Sequence, residues 1–353
     1  MKRLAALAAV LATALIVAPQ GEAQATRNYV WAAGSSTVFP FTTRVAENFQ
    51  RRSGGPAPQV EALGTGGGIR AFCSGIGAST PDIANASRQM LPSEFDECRR
   101  NGVTDIIELQ IGYDGIVIAT ARNGADFDFQ LEHLYLGLAR EVLRGREIVR
   151  NPYTSWDQIG GLSMPGTRIQ VYGPPPTSGT RDSWLELGME AGARSERFPT
   201  LQALRASDGA RFTAISHTLR EDGAWIDAGE NDNAIVQTLT RTPGALGVFG
   251  FSFLAQNREA VKAATINGVA PSLETIASGE YPISRSMFIY VKAQHIGVIP
   301  GLAEFVDEYM SDASAGAGGY LQDRGIVPML PGLLAEMQGR ARSRTLMTRP
   351  SGS

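Results

Sequence analysis

The sequence predicts an α/β fold with mostly parallel sheets, organised in two lobes. Short β-rich runs alternate with segments of helical periodicity, and this repeated strand–loop–helix order favours parallel pairing. The chain has 353 residues, which is too many for one small hydrophobic core, so we expect two lobes. Its net charge of −3 leaves no large positive field, so nucleic acid is not an expected partner.

The amino terminus has the pattern of a secretory signal peptide covering residues 1–25. Lys2 and Arg3 precede an apolar run over residues 4–18, and Ala23-Gln24-Ala25 provides small residues for a signal peptidase. The run of about 15 apolar residues is short for a membrane helix. We therefore expect a soluble protein exported to the periplasm, cleaved after Ala25 or, alternatively, after Ala23.

Strand-like and helical segments follow one another through the rest of the chain. Phe41, Val45 and Phe49 have helical spacing, and a helix is also predicted over residues 181–189. From Pro331 we expect a short helix followed by disordered residues. Gly112-Tyr113-Asp114-Gly115 is predicted to interrupt two strands. The predicted strands cover residues 29–33, 60–63, 82–86, 106–111, 116–119, 169–172, 245–251, 261–266 and 287–291.

The two cysteines, Cys73 and Cys98, are predicted to form a disulfide because the protein is exported. On the chain-entropy model, such a loop of roughly 25 residues contributes about 3 kcal/mol to stability. His133, His217 and His295 lie far apart and show no ligand spacing, so we expect neither a metal nor a cofactor.

Three strand-to-helix corners share one composition of glycine and small hydroxyl residues. They are GSST at 34–37, GTGGG at 64–68 and TSGT at 177–180. The first turn of a helix has unpaired N–H groups and the positive end of the helix dipole, and glycine allows a ligand to approach them. Serine and threonine are also ordinary helix caps. Because three such corners occur in one chain, we predict an anion site at the carboxyl ends of the strands.

The corners lack the motifs of nucleotide-binding proteins and of common hydrolases. The glycines do not form GxGxxG followed by an acidic residue, and GxxxxGK[ST] does not occur. G-x-S-x-G and Ser-x-x-Lys are also missing from the sequence. We therefore expect no enzyme activity.

Seven segments together resemble the periplasmic phosphate-binding proteins, the solute receptors of the high-affinity ABC phosphate importer. The resemblance covers nearly the whole mature chain and implies a type II binding-protein fold, in which two lobes close around the ligand. The segments are GSSTVFPF (34–41), GTGGGIRAFCSG (64–75), DIANASRQM (82–90), IGYDGIVIA (111–119), TSGTRD (177–182), TPGALGVFGFSF (242–253) and SRSMFIYV (284–291).

The resemblance implies that residues of the three corners donate to phosphate. These donors are Ser36, Thr37, Thr65, Gly66, Ser178, Gly179 and Thr180. The best-known branch of the family has an aspartate after an Ala-Ser pair and an arginine shortly before Ser-Gly-Thr. Here Arg88 follows Ala86-Ser87, as in another branch of the family. We therefore expect Arg88 to face the phosphate.

Discrimination of phosphate from sulfate needs an acceptor for the proton of HPO₄²⁻, since sulfate has no proton at neutral pH. Asp114 is the preferred candidate, although an aspartate in a Tyr-Asp-Gly turn has an equally ordinary structural explanation. Asp182 and Asp232 are the alternatives.

The resulting prediction is a monomeric receptor that binds inorganic phosphate tightly and delivers it to the permease subunits of an ABC importer. Its first lobe covers residues 26–116 plus 246–335, its second lobe covers residues 117–245, and residues 336–353 form a carboxy-terminal tail. The alternatives are a receptor for another tetrahedral oxyanion (sulfate, arsenate or phosphite), a phosphate scavenger or sensor without a transport role, and an exported phosphatase or hydrolase with Ser36 or Ser178 as nucleophile.

Overall fold

A computed structural model describes residues 27–160, 166–176, 178–229 and 232–351. The predicted signal peptide lies outside these residues. The strands are β1 (Trp31–Gly34), β2 (Gln59–Ala62), β3 (Ile83–Ala86), β4 (Ile106–Ala121), β5 (Asp128–Phe129), β6 (Glu141–Arg144), β7 (Glu147–Arg150), β8 (Val171–Gly173), β9 (Trp225–Asp227), β10 (Leu246–Gly250), β11 (Val261–Ala263), β12 (Thr265–Ile266) and β13 (Ser284–Lys292).

Helices surround the strands. The α-helices are α1 (Phe39–Ser53), α2 (Thr65–Phe72), α3 (Pro92–Arg100), α4 (Leu131–Leu138), α5 (Gly179–Ser183), α6 (Ala191–Ala193), α7 (Pro199–Ser207), α8 (Gly209–His217), α9 (Asp232–Arg241), α10 (Phe251–Gln256), α11 (Leu273–Ala277), α12 (Leu302–Tyr309), α13 (Asp312–Ala315) and α14 (Pro331–Ser343). A π-helix (Trp184–Glu190) joins α5 to α6, and short 3₁₀ turns cover Trp156–Gln158, Ala293–His295 and Gln322–Arg324.

The main sheet has the strand order β2-β1-β3-β13-β4-β10-β8-β9, with β11 also paired to β4. Strand β1 pairs in parallel with β2 and β3, and β8 pairs in parallel with β9 and β10. The central strands differ from the expectation of mostly parallel sheets, because β13 and β4 are antiparallel to their neighbours. These antiparallel strands join two parallel groups, each of which carries predicted site corners at its carboxyl ends.

Strand β4 is continuous over 16 residues, so the predicted break at Gly112–Gly115 is wrong. Its first part pairs with β13, and its last part pairs with β10 and β11. Gly112 allows close packing instead of a turn: a Cβ there would lie 2.7 Å from the side chain of Ile326. Asp114 therefore projects from the middle of a strand.

The predicted disulfide between Cys73 and Cys98 is confirmed. It links the end of α2 to α3 within a small core that also contains Ile69, Phe72 and Phe95. The helix that begins at the second corner is thereby fixed to its neighbour, since the covalent link restricts their relative movement.

The residues that follow α14 are ordered against the fold, which corrects the expectation of disorder. The Met347 N–H donates to the Ile106 carbonyl at 2.8 Å, and Arg349 forms two hydrogen bonds with Asp96 of α3. Among the described residues, no helix is long and apolar enough to cross a membrane.

Candidate anion-binding site

The predicted corners surround two adjoining cavities that share Ser36 and Thr37. The first, which we call the Arg88 cavity, has a volume of about 340 Å³. The second, which we call the Asp114 cavity, has a volume of about 500 Å³. The Arg88 cavity is lined by Thr65, Gly66, Ser87, Arg88 and Arg285, and from the other side by Asp182, Glu186 and His217. The Asp114 cavity is lined by Asp114, Ser178, Gly179, Thr180 and Asp232.

The first and third corners are in direct contact between the two cavities. A Cβ on Gly179 would lie 2.8 Å from the Thr37 Cα, so only glycine permits this approach. The Ser36 hydroxyl donates to Asp182 at 2.5 Å. The structure therefore brings the three corners together around two cavities, and not around one as the sequence predicted.

The second corner begins α2 directly at Thr65. Gly68 lets this helix pack against β1, because a Cβ there would lie 2.2 Å from the Gly34 Cα. The Ser87 N–H donates to the Thr65 hydroxyl at 3.1 Å, and the two side-chain hydroxyls lie 3.0 Å apart. Thr65 and Gly66 consequently present a hydroxyl and first-turn N–H groups to the Arg88 cavity.

Arg88 lines the cavity that bears its name but forms a two-pronged ion pair with Glu94, at 2.9 and 2.7 Å. The hydrogen bond that Arg88 donates to Glu94 raises the pKa of Arg88 above its ordinary value. The Arg88 side chain is 40% exposed, so its guanidinium lies at the cavity wall and not at its centre. Its role toward phosphate stays a prediction.

Arg285 lines the Arg88 cavity and was missed as a site residue by sequence reasoning. Its guanidinium donates to the Thr37 and Ser183 hydroxyls at 2.9 and 2.7 Å and forms an ion pair with Glu186. The side chain is 13% exposed. The signal was a single arginine at the start of the apolar segment SRSMFIYV, but sequence alone does not show which face of that strand meets the cleft.

Asp114 is a buried carboxyl beside this arginine. It accepts a hydrogen bond from Ser183, and its Oδ2 lies 3.6 Å from Arg285 Nε. Burial raises the pKa of Asp114, while the Arg285 charge and the Ser183 hydrogen bond oppose the rise. Of the other candidate carboxyls, Asp182 accepts from Ser36, and Asp232 accepts the Gly250 N–H at 3.1 Å.

The third corner begins α5 with Ser178 as its cap, since the Ser178 hydroxyl accepts from the Thr180 N–H at 3.3 Å. Asp182 and Ser183 of this helix and Glu186 of the following π-helix carry the groups that meet Ser36, Thr37 and Arg285. The four-residue corner motif thus continues into a longer polar helix face that the motif did not predict.

The family model for the PBP superfamily domain matches residues 19–313. The chain belongs to the PBP superfamily. Protein SphX of Synechococcus elongatus is 32% identical over 335 residues, which cover 93% of this chain and 86% of that protein. The phosphate-binding protein PstS of Staphylococcus saprophyticus is 26% identical over 301 residues, covering 84% of this chain and 79% of that protein.

Solved structures of similar proteins also match this fold. A possible phosphate-binding protein from Planctomyces limnophilus matches with a TM-score of 0.68 and 26% identity, over 90% of this chain and 98% of that one. PstS of Borrelia burgdorferi matches with a TM-score of 0.55 and 19% identity, over 86% of this chain and 100% of that one, and supports the fold alone. The predicted two-lobed α/β binding-protein fold is confirmed.

Proposed function

We propose that this PBP-superfamily protein binds inorganic phosphate in the periplasm and delivers it to the permease of an ABC-type phosphate importer. The observation that carries the proposal is the pair of adjoining cavities in which hydroxyls, helix-start N–H groups and two arginines converge. These donors match the oxygens of a tetrahedral anion. The similarity to PstS and SphX over most of the chain supports phosphate as that anion.

In this proposal, Ser36 and Thr37 contact the anion from the first corner, Thr65 and Gly66 from the second, and Ser178, Gly179 and Thr180 from the third. Arg88 and Arg285 supply the positive charge. Arg285 is an addition to the residues predicted from sequence, and its direct bond to Thr37 supports the assignment.

Asp114 is proposed to accept the proton of HPO₄²⁻. It is buried, lines the cavity that holds the third corner and lies beside Arg285. A buried carboxylate that faces sulfate would find no proton to accept, and the two negative charges would repel each other.

The lobe boundaries also remain a proposal. Because β10 and β11 pair with the last part of β4, we assign residues 246–263 to the second lobe and not to the first. The crossing strands β4 and β13 then carry the hinge, since the register between them shifts at Met287/Phe288. Closure about these strands would bring the corners together around the anion.

Calorimetric titration of the mature protein with phosphate and with sulfate at neutral pH tests the function. We expect phosphate to bind and sulfate to bind much more weakly. Sulfate binding of equal strength, or no phosphate binding, would overturn the proposal. Turnover of a chromogenic phosphate ester that is lost in Ser36→Ala would instead support a hydrolase.

Localisation has a separate test. Fractionation of cells that express the full chain should recover a shortened protein in the periplasm, with its amino terminus near residue 26. A full-length protein retained in the cytoplasm would contradict export.

A further inference from the structure

His217 is a titratable side chain on the anion cavity that the proposed function does not use. It lines the Arg88 cavity together with Glu186 and Asp182, opposite Arg88 and Arg285. Its side chain is 26% exposed. The other two histidines differ: His133 and His295 are buried and line neither of the two cavities.

Two features of its surroundings place negative charge beside the imidazole. His217 is the last residue of α8, where the negative end of the helix dipole stabilises a cation. Its Nε2 lies 2.6 Å from a carboxylate oxygen of Glu190, on the adjacent π-helix. The pKa of Glu190 is lowered, first by the hydrogen bond with His217 and also by Arg194.

The charged groups around the imidazole come from several elements. Glu186 and Glu190 lie on the π-helix, Asp182 lies on α5, and Arg194 bonds to Glu190. Arg88 and Arg285 lie across the cavity and are held by Glu94 and by Glu186 with Asp114, respectively. These carboxylates offset the charge of both arginines. A proton on His217 therefore makes the net charge around an anion in the cavity more positive.

From this arrangement we propose that His217 is a ligand-facing group whose protonation strengthens anion binding, so that the receptor holds phosphate more tightly at acidic than at alkaline pH. The inference rests on the proposed function, because it assumes that the phosphate held by the three corners reaches into the Arg88 cavity, which shares Ser36 and Thr37 with the Asp114 cavity. By reciprocity, bound phosphate must favour the protonated imidazole by the same factor.

Nuclear magnetic resonance of the imidazole protons tests this directly, since the chain has only three histidines. The signal of His217 is assigned by its loss in His217→Gln. We expect saturating phosphate to raise the pKa of this imidazole by about one unit, which corresponds to a tenfold change in affinity. An unchanged pKa in the presence of bound phosphate would overturn the inference.

Calorimetry provides the second measurement. The ratio of phosphate affinities, wild type over His217→Gln, should rise roughly tenfold as the pH falls through the titration of His217. The ionisation of phosphate affects both proteins equally and cancels in the ratio. Arg211→Gln is the matched control, because it removes an exposed positive charge from the same helix that pairs with Glu141 and does not line the cavity, and the ratio of wild-type to Arg211→Gln affinity should not depend on pH.

The two proposals fail in different ways. If the wild type shows no phosphate binding at any pH, the proposed function is wrong. If the wild type binds phosphate and the ratio stays constant with pH, only the role of His217 is wrong.

Discussion

The two sides of the Arg88 cavity differ in charge. The side built from the strands and from α2 contributes Arg88 and Arg285, whereas the side built from the helical run after the third corner contributes Asp182, Glu186 and His217. Three of these groups bond across the cleft, through Ser36–Asp182 and Arg285–Glu186. These contacts hold the two sides together through their own opposite charges, so an anion that enters the cavity must compete with carboxylates for the arginines.

Among substitutions on the two sides of the cavity, Arg285→Ala should weaken phosphate binding most. It removes the largely enclosed cation that bonds to Thr37, Ser183 and Glu186. We expect a loss of phosphate affinity of about 2–3 kcal/mol, or roughly 30- to 150-fold, measured by calorimetry. Arg285→Lys, which keeps the charge but not the planar fork, should recover part of the affinity. Unchanged affinity in Arg285→Ala would show that this arginine is structural.

Asp114→Asn tests whether the buried carboxyl of Asp114 produces the preference for phosphate over sulfate. We expect the ratio of phosphate to sulfate affinity to fall by about tenfold, because an amide can donate to sulfate where a carboxylate repels it. Asp126→Asn, on the exposed surface, is the control and should leave the ratio unchanged.

Asp114 should also affect stability in a defined direction. Its pKa is raised by burial, so between its ordinary value of 3.8 and the raised value the folded state binds more protons than the unfolded state. Stability should therefore fall as the pH rises through this window. Thermal unfolding across this pH range should show that decline in the wild type and a smaller decline in Asp114→Asn. Equal slopes of stability against pH in the two proteins would contradict the raised pKa of Asp114.

Arg88→Ala should have a smaller effect than Arg285→Ala, because Glu94 already neutralises Arg88 at the cavity wall. We expect a loss of about 1 kcal/mol, or roughly fivefold, in phosphate affinity. Arg349→Ala removes a similar two-pronged pair on the same helix and should leave affinity unchanged. A larger loss for Arg88 than for Arg285 would reverse the proposed order of the two cations.

Lys292→Met should leave phosphate affinity unchanged, since this cation is buried away from both cavities. Lys292 donates to the Gly75 carbonyl and to Thr80, and burial lowers its pKa to about 7 from 10.5. Between these values the unfolded state binds more protons, so wild-type stability should rise with pH across this range. Thermal unfolding of Lys292→Met should lack that rise, and a pH slope equal to that of the wild type would contradict the lowered pKa.

Sequence alone determined the fold class, the disulfide and the corners, because each depends on short-range patterns. The alternation of strands and helices predicted the α/β architecture, and the two cysteines of a chain predicted to be exported left one pairing. Gly34, Gly68 and Gly179 lie where the sequence placed donor-rich corners, and all three are needed for close backbone contact.

Tertiary structure decided how charge is distributed around those corners. Arg285 is more than a hundred residues from Ser183 and more than two hundred from Thr37, yet it bonds to both. Asp114, expected at a turn, is buried in a continuous strand beside that arginine. Such pairings depend on strand order, register and side-chain direction, which follow from packing of the whole chain and not from any local run of residues.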